Sequence, residues 1–193
     1  MAILRQPDVY LVSPPIWDNI ILKRAYRTNI MMSISGDEQR SALSTKVRRE
    51  LSYTIQCQSA AQTNYVKRRI MKYQHLIWGI PIWPYEMLVV SGGSAGSSDL
   101  VVNDASSREL VADTLLGEII ITTGYNTFEA KDMDSISSNT ITLASALSLS
   151  WVADNKVYPV LRAELSNTQN YTLKTPEHNF ITFNFVESFR NVD

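Results

Sequence analysis

Val47-Arg-Arg-Glu-Leu-Ser-Tyr-Thr-Ile-Gln-Cys57 decides the fold class. Val47, Leu51, Tyr53, Ile55 and Cys57 fall on one side of a period-two repeat, and Arg48, Glu50, Ser52, Thr54 and Gln56 on the other. Alternation over that length is the pattern of a half-buried β-strand, because successive side chains leave a strand on opposite faces. An amphipathic helix would need apolar spacings of three and four, which this stretch lacks.

The same period dominates the flanks. Residues 19–34 are β-rich and read as one long strand or two, closed by a turn at Gly36-Asp37. Downstream, Ser59-Ala-Ala-Gln62 has the form of a helix capping box. Val66, Ile70 and Tyr73 follow at helical spacing, with Lys67, Arg68, Arg69 and Lys72 over much of the remaining surface, so one helix is expected at about 59–73. Leu76-Ile-Trp-Gly-Ile-Pro-Ile-Trp-Pro-Tyr85 is apolar but carries Pro81 and Pro84, which argues against a central strand running through both. A short strand at Met87–Val90 precedes Ser91-Gly-Gly-Ser-Ala-Gly-Ser-Ser98, which reads as a flexible linker or long turn.

Residues 99–154 contain several short strand signals: Leu100–Val102, Glu118–Thr122, Thr127–Met133, Thr140–Ala144 and Leu149–Val152, with turns at Gly124 and Ser137-Ser-Asn139. That density suggests a small barrel. Three more strands are expected at Lys156–Leu165, Asn170–Lys174 and Asn179–Glu187, the last alternating Ile181, Phe183 and Phe185 against Thr182 and Asn184.

A chain of 193 residues with 45% apolar and 19% charged side chains can bury a core without metal or disulfide staples. Cys57 is the single cysteine and His75 and His178 are the two histidines, so an internal disulfide and a structural zinc site are not expected. Residues 1–8 lack the apolar stretch of a secretory signal, and no run approaches the roughly 18 apolar residues of a membrane helix. Synthesis and folding in a reducing cytoplasm, with no membrane partner, are the expectation.

The net charge of −1 hides an asymmetry. Residues 1–90 hold 12 basic and 6 acidic side chains, residues 91–154 hold 2 and 9, and residues 155–193 hold 4 of each. The change falls at the Ser/Gly stretch. We read an acidic barrel, residues 91–154, inserted into a basic frame made of residues 1–90 plus 155–193; a tandem arrangement is the alternative. Opposite charge on two parts of one chain favours head-to-tail packing between copies, which closes into a ring when the rotation allows.

No motif for enzyme chemistry is present: no G-x-G-x-x-G, P-loop, G-x-S-x-G or H-E-x-x-H. The acidic run Asp132-Met-Asp134, with Asp113 and Glu118 upstream, lacks calcium-loop spacing and reads as a solvated face. Cys57 lies on the apolar face of its strand and reads as a small core residue. No catalytic residue, cofactor or metal is therefore expected. The basic clusters Lys23-Arg24…Arg27, Arg48-Arg49 and Lys67-Arg68-Arg69…Lys72 are interleaved with Tyr26, Tyr53, Tyr65, Tyr73, Trp78 and Trp83, a composition that serves single-stranded nucleic acid, but Tyr53 and Tyr73 fall on expected core faces, so an acidic protein surface is the preferred partner.

One stretch goes further. Arg24-Ala-Tyr-Arg-Thr-Asn-Ile-Met-Met-Ser-Ile-Ser-Gly-Asp-Glu-Gln-Arg40, followed by the Arg48-Arg49 pair and Tyr53, resembles a motif in structural proteins of tailed-bacteriophage tails. Gly36, Glu38, Gln39 and Arg40 match its Gly-x-Glu-Gln-Arg element, and Arg48, Arg49 and Tyr53 match the basic strand that follows it. The Trp78…Pro81…Trp83-Pro84 segment, Ile136-Ser-Ser-Asn-Thr-Ile-Thr-Leu143, Trp151, Val157-Tyr-Pro159 and the closing strand also resemble later parts of that group. The resemblance implies a virion structural protein that assembles with itself and with other tail proteins such as tube, hub or fibre.

The fold expected is mainly β: a β-sandwich with one flanking α-helix and an inserted small β-barrel. The function expected is ring assembly at the distal tail or the fibre connection. A glycan- or nucleic-acid-binding module is the alternative, and a tail-associated hydrolase comes last. Contact candidates are the Gly36 loop with Glu38, Gln39 and Arg40, the basic helix with Lys67 and Arg68, and Trp78 and Trp83, which serve either as interface anchors or as caps on the local core. Arg49 falls in register with an apolar face and needs a carboxylate or backbone acceptors, with Glu38 a candidate partner.

Overall fold

The computed structural model describes residues 7–25, 28–32, 38–42, 48–106, 110, 117–123, 127–166, 170–173 and 179–188. In chain order the strands are β1 (Val9–Tyr10), β2 (Ile21–Ala25), β3 (Thr28–Met32), β4 (Glu38–Ala42), β5 (Arg48–Cys57), β6 (Ile77–Pro81), β7 (Met87–Ser91), β8 (Asp99–Val102), β9 (Glu118–Thr122), β10 (Phe128–Ser137), β11 (Thr140–Leu143), β12 (Lys156–Leu165), β13 (Asn170–Leu173) and β14 (Asn179–Glu187). One α-helix, α1 (Ala60–Tyr73), lies between β5 and β6. The chain is mainly β with one helix, and six strands close into a barrel.

The alternating stretch forms β5, and its apolar side is the centre of the larger core. Leu51, Tyr53, Ile55 and Cys57 are all buried. β5 pairs antiparallel with β14 from Cys57↔Asn179 to Glu50↔Val186, which sets Ile181, Phe183 and Phe185 on the same face. Tyr53 lies 5.7 Å from Phe183 and 6.0 Å from Phe185, ring centre to ring centre. α1 covers this face with Val66 and Ile70. Its N-terminus is capped as expected: Gln62 N donates to Ser59 Oγ at 3.2 Å, while Gln62 Oε1 accepts from the Gln58 N–H at 2.8 Å.

The β-rich run at 19–34 is two strands, β2 and β3. The Trp/Pro segment divides where its prolines require. β6 is a buried strand that ends at Pro81, and the chain then makes a 3₁₀ turn over Trp83–Tyr85 that holds Pro84.

The barrel closes in the order β12-β7-β8-β11-β10-β9 and back to β12. β12 is shared. Its first half, Lys156 to Pro159, pairs with β7 and β9 inside the barrel, and its second half pairs with β6 and β14 in the frame sheet. The barrel's hydrogen-bonded limits therefore run from Met87 to Pro159, wider than the charge boundary. At the junction both faces of a strand are covered. Ile119 and Ile121 of β9 belong to the barrel core with Met133 and Trp151, while Ile120 joins the frame core with Tyr158 and Trp83.

Two local expectations are corrected. The Ser/Gly stretch is the long turn between the paired strands β7 and β8 rather than a flexible linker, and Leu149–Val152 is not a strand; the two segments strap against each other. Trp151 N donates to Gly93 O at 2.6 Å, Gly96 N to Leu147 O at 2.8 Å, and Ala95 N to Ser150 Oγ at 3.1 Å. Gly93 has no room for a side chain, since a Cβ there would sit 2.4 Å from Trp151 O. Gly92 turns with φ +83°, a conformation that glycine adopts without strain. The glycines permit close approach here rather than flexibility. The turns at Gly36 and Gly124, and His178, lie outside the described residues.

Candidate assembly surfaces

The arginine pair of the motif fastens two ends of the frame sheet. Arg49 N donates to Glu187 Oε2 at 2.8 Å, and its guanidinium Nε and Nη2 reach Glu187 Oε1 at 3.0 and 2.5 Å. Arg48 Nε donates to the Glu187 carbonyl at 2.8 Å, so Arg48 is half-buried rather than fully on the solvent face. The carboxylate partner of Arg49 is thus Glu187, at the end of β14; the side chain of the other candidate, Glu38, lies outside the described residues. Both Arg49 and Glu187 sit at apolar-phase positions near the ends of paired strands, so the two opposite charges meet. A nearly buried carboxylate needs this multiple donation to offset its lost hydration.

The latch stands at the root of an arm. β2 and β5 pair as far as Ala25↔Arg48, and β3 and β4 then pair with each other from Thr28↔Ala42 to Met32↔Glu38. β3 and β4 form a two-stranded sheet of their own; among the described residues no strand of the larger sheet bonds to it. Glu38, Gln39 and Arg40 occupy β4 opposite Met32, Met31 and Ile30. Gly36 is outside the described residues, as are the side chains of these five-residue strands. The motif's Glu-Gln-Arg element therefore lies on β4, and its Arg-Arg pair opens β5 beside the end of β2.

The basic helix presents a separate face. Thr63, Val66 and Ile70 are buried, and Ala61, Tyr65, Arg68 and Lys72 line the opposite side at helical spacing. Arg69 leans over Tyr65, its guanidinium carbon 5.5 Å from the ring centre and Nη1 donating to the Tyr65 hydroxyl. Lys72 Nζ stands 5.0 Å from the Tyr73 ring centre. Four cations and no carboxylate occupy this 14-residue helix, and Lys67 is half-buried on its flank.

Trp78 and Trp83 are both buried in the frame core, Trp83 edge-on to Tyr158 at 4.9 Å. Of the two readings, interface anchor or core, burial favours the core: Trp78 lies against Phe185 of the frame, ring centres 6.2 Å apart, and Trp83 packs where β12 passes from frame to barrel. Cys57 is buried, and burial pushes its thiol up.

Two further carboxylates are buried: Glu129, and Glu118, whose expected place on a solvated acidic face is corrected. Glu129 accepts from Ser148 N at 2.6 Å, Leu149 N at 3.1 Å and Trp151 Nε1 at 3.0 Å, and Lys131 Nζ lies 3.4 Å away. Burial raises its pKa, but these donors outweigh burial and hold it below the usual carboxylate range. Glu118 lies at the junction of barrel and frame. The Tyr10 hydroxyl donates to it, Asp132 is its cross-strand partner, and the half-exposed Asp132 carboxylate is 3.8 Å from the buried Arg162 guanidinium. Burial pushes Glu118 up to about 7 against the Tyr10 hydrogen bond and the Arg162 charge, and Asp132 adds to the rise. Glu118 begins the run Glu-Ile-Ile-Ile-Thr, and a charge opening a strand covered on both faces was the available signal.

Among the described residues no group of three or more His, Cys, Asp or Glu side chains is placed to hold a metal ion. Among them, too, no helix is long and apolar enough to cross a membrane. No family model matches the chain, and no curated protein matches it at a significant level.

Proposed function

We propose that the protein is a structural component of a bacteriophage tail whose copies assemble into a ring at the distal tail or at the fibre connection. The observation that carries this reading is the β3–β4 arm. A two-stranded hairpin is at best marginally stable alone in water, and among the described residues this one has no strand partner from the larger sheet. A neighbouring subunit supplies what it lacks. The tail-protein motif maps onto this arm and its root, which joins the resemblance to a physical role: Glu187, Arg48 and Arg49 brace the base from which the arm reaches out. The charge division supports the same reading, since a positive frame and a negative barrel on each copy favour contacts that repeat head to tail.

The test is an arm replacement. Ala25 and Arg48 are directly paired, so a two-residue Asn-Gly turn can join them in place of residues 26–47. The variant should keep the circular dichroism of the full chain and lose its oligomer. A variant that assembles like the full chain contradicts the role of the arm.

A further inference from the structure

We propose that the outer face of α1 is the docking site for the far wall of the barrel of a second copy of this chain, through Arg68 and Lys72 on the helix and Asp99 and Asp134 on the barrel. This names the contact that closes the ring and rests on the assembly reading.

The two faces match in charge and in form. On the helix, Arg68 and Lys72 are exposed on one ridge with Tyr65, which is 45% exposed, and Met71 beside them is 76% exposed. Tyr65, Arg68, Arg69 and Lys72 border a shallow depression there. The Arg69–Tyr65 contact holds both side chains in place, so less freedom is lost when a partner arrives. On the barrel, Asp99 pairs in register with Thr142, and Thr142 with Ser135. A bulge between Met133 and Ser135 leaves both Asp134 and Ser135 exposed while Met133 stays inside. The result is a wall of small Thr and Ser side chains with a carboxylate on each side, broad enough for a helix to lie on. Asp99 is already oriented by the Thr142 hydroxyl, which donates to it at 2.9 Å.

The topology makes the contact intermolecular. β11 stands between β8 and β10, three strands from β12 in either direction around the barrel. β12 is the strand that joins barrel to frame, so this wall is the one that faces away from the frame. α1 packs on β5, on the frame side, with β14 between β5 and β12. A helix and a wall so placed meet only when one belongs to another copy. Each copy then offers one of each, the condition for a repeating contact. A nucleic-acid strand is less well served, because the ridge offers one exposed ring, Tyr65, where strand-binding surfaces stack successive bases on several.

The experiment uses the full chain and measures oligomer mass against protein concentration at about 0.1 M salt, where contacts shorter than the roughly 10 Å screening length persist. Arg68→Glu with Lys72→Glu, and separately Asp99→Lys with Asp134→Lys, should each weaken assembly at least tenfold. All of these side chains are exposed, so folding should be unchanged by circular dichroism. Mixing the two variants restores a helix–barrel charge match between unlike copies and should recover mixed assemblies. If R68E/K72E assembles like wild type, the helix–barrel contact is wrong while the arm reading stands. A wild-type chain that remains monomeric overturns both. A labelled single-stranded 20-mer that binds wild type and not R68E/K72E, with assembly unaffected, assigns the face to nucleic acid instead.

Discussion

Glu118 is the residue whose placement has the clearest consequence for the folded state. Its carboxyl is buried between Tyr10 of β1, Asp132 of β10 and Arg162 of β12, and titrates near 7 when folded, against an ordinary value near 4.5. A raised carboxyl pKa means that the folded protein holds the proton more tightly. The stability this group contributes is complete below pH 4.5, declines as pH rises through 7, and stays lost above it. The variant E118Q keeps an acceptor for the Tyr10 hydroxyl and carries no charge. From pH 4.5 to pH 8 the stability difference should therefore shift in favour of E118Q by about 3 kcal/mol. Urea unfolding of both proteins at the two pH values measures it, and a difference independent of pH would show that Glu118 does not titrate in this range. None of this was legible beforehand, because Tyr10 and Glu118 are 108 residues apart and meet only once the barrel is seated on the frame. Arg49 was half legible. Its phase on β5 demanded a carboxylate or backbone acceptors, but that Glu187 supplies the carboxylate depends on β14 pairing along β5.

At the scale of elements, local pattern told most where one face of an element meets solvent. β5 and β14 alternate cleanly, and α1 carries both its apolar stripe and its cap in the sequence. Pattern told least where elements are covered on both sides or shaped by backbone contacts. β6 and β9 are buried at every position, so neither alternates. The glycine-rich strap looks like a linker because glycine permits two opposite things, freedom and close approach, and only the partner segment at Trp151 distinguishes them. Glu129 holds that partner in place. E129A leaves the Ser148, Leu149 and Trp151 N–H groups without their acceptor, and should lower stability at pH 7 by about 3 kcal/mol. Because the folded pKa of Glu129 is depressed, its contribution is present above its ordinary value and fades as pH falls through the lower folded one, so the gap between E129A and wild type narrows in acid. A loss below about 0.5 kcal/mol in urea unfolding would mean that water replaces the carboxylate without penalty.

For the whole molecule, β12 is the organising strand. It closes the barrel with one half and the frame with the other, and so fixes which surfaces face outward: the arm beyond β2 and β5, the cationic side of α1, and the wall centred on β11. The charge division of the sequence marks those surfaces more than it marks the structural boundary, since β7 and the start of β12 belong to the barrel by hydrogen bonding. On the proposed function these surfaces serve self-assembly. Native mass measurement of the purified full chain over a range of concentrations tests it most directly. The account predicts one closed assembly at a fixed multiple of the 21.8 kDa chain, weakened by salt. A single species at 21.8 kDa at every concentration would contradict it.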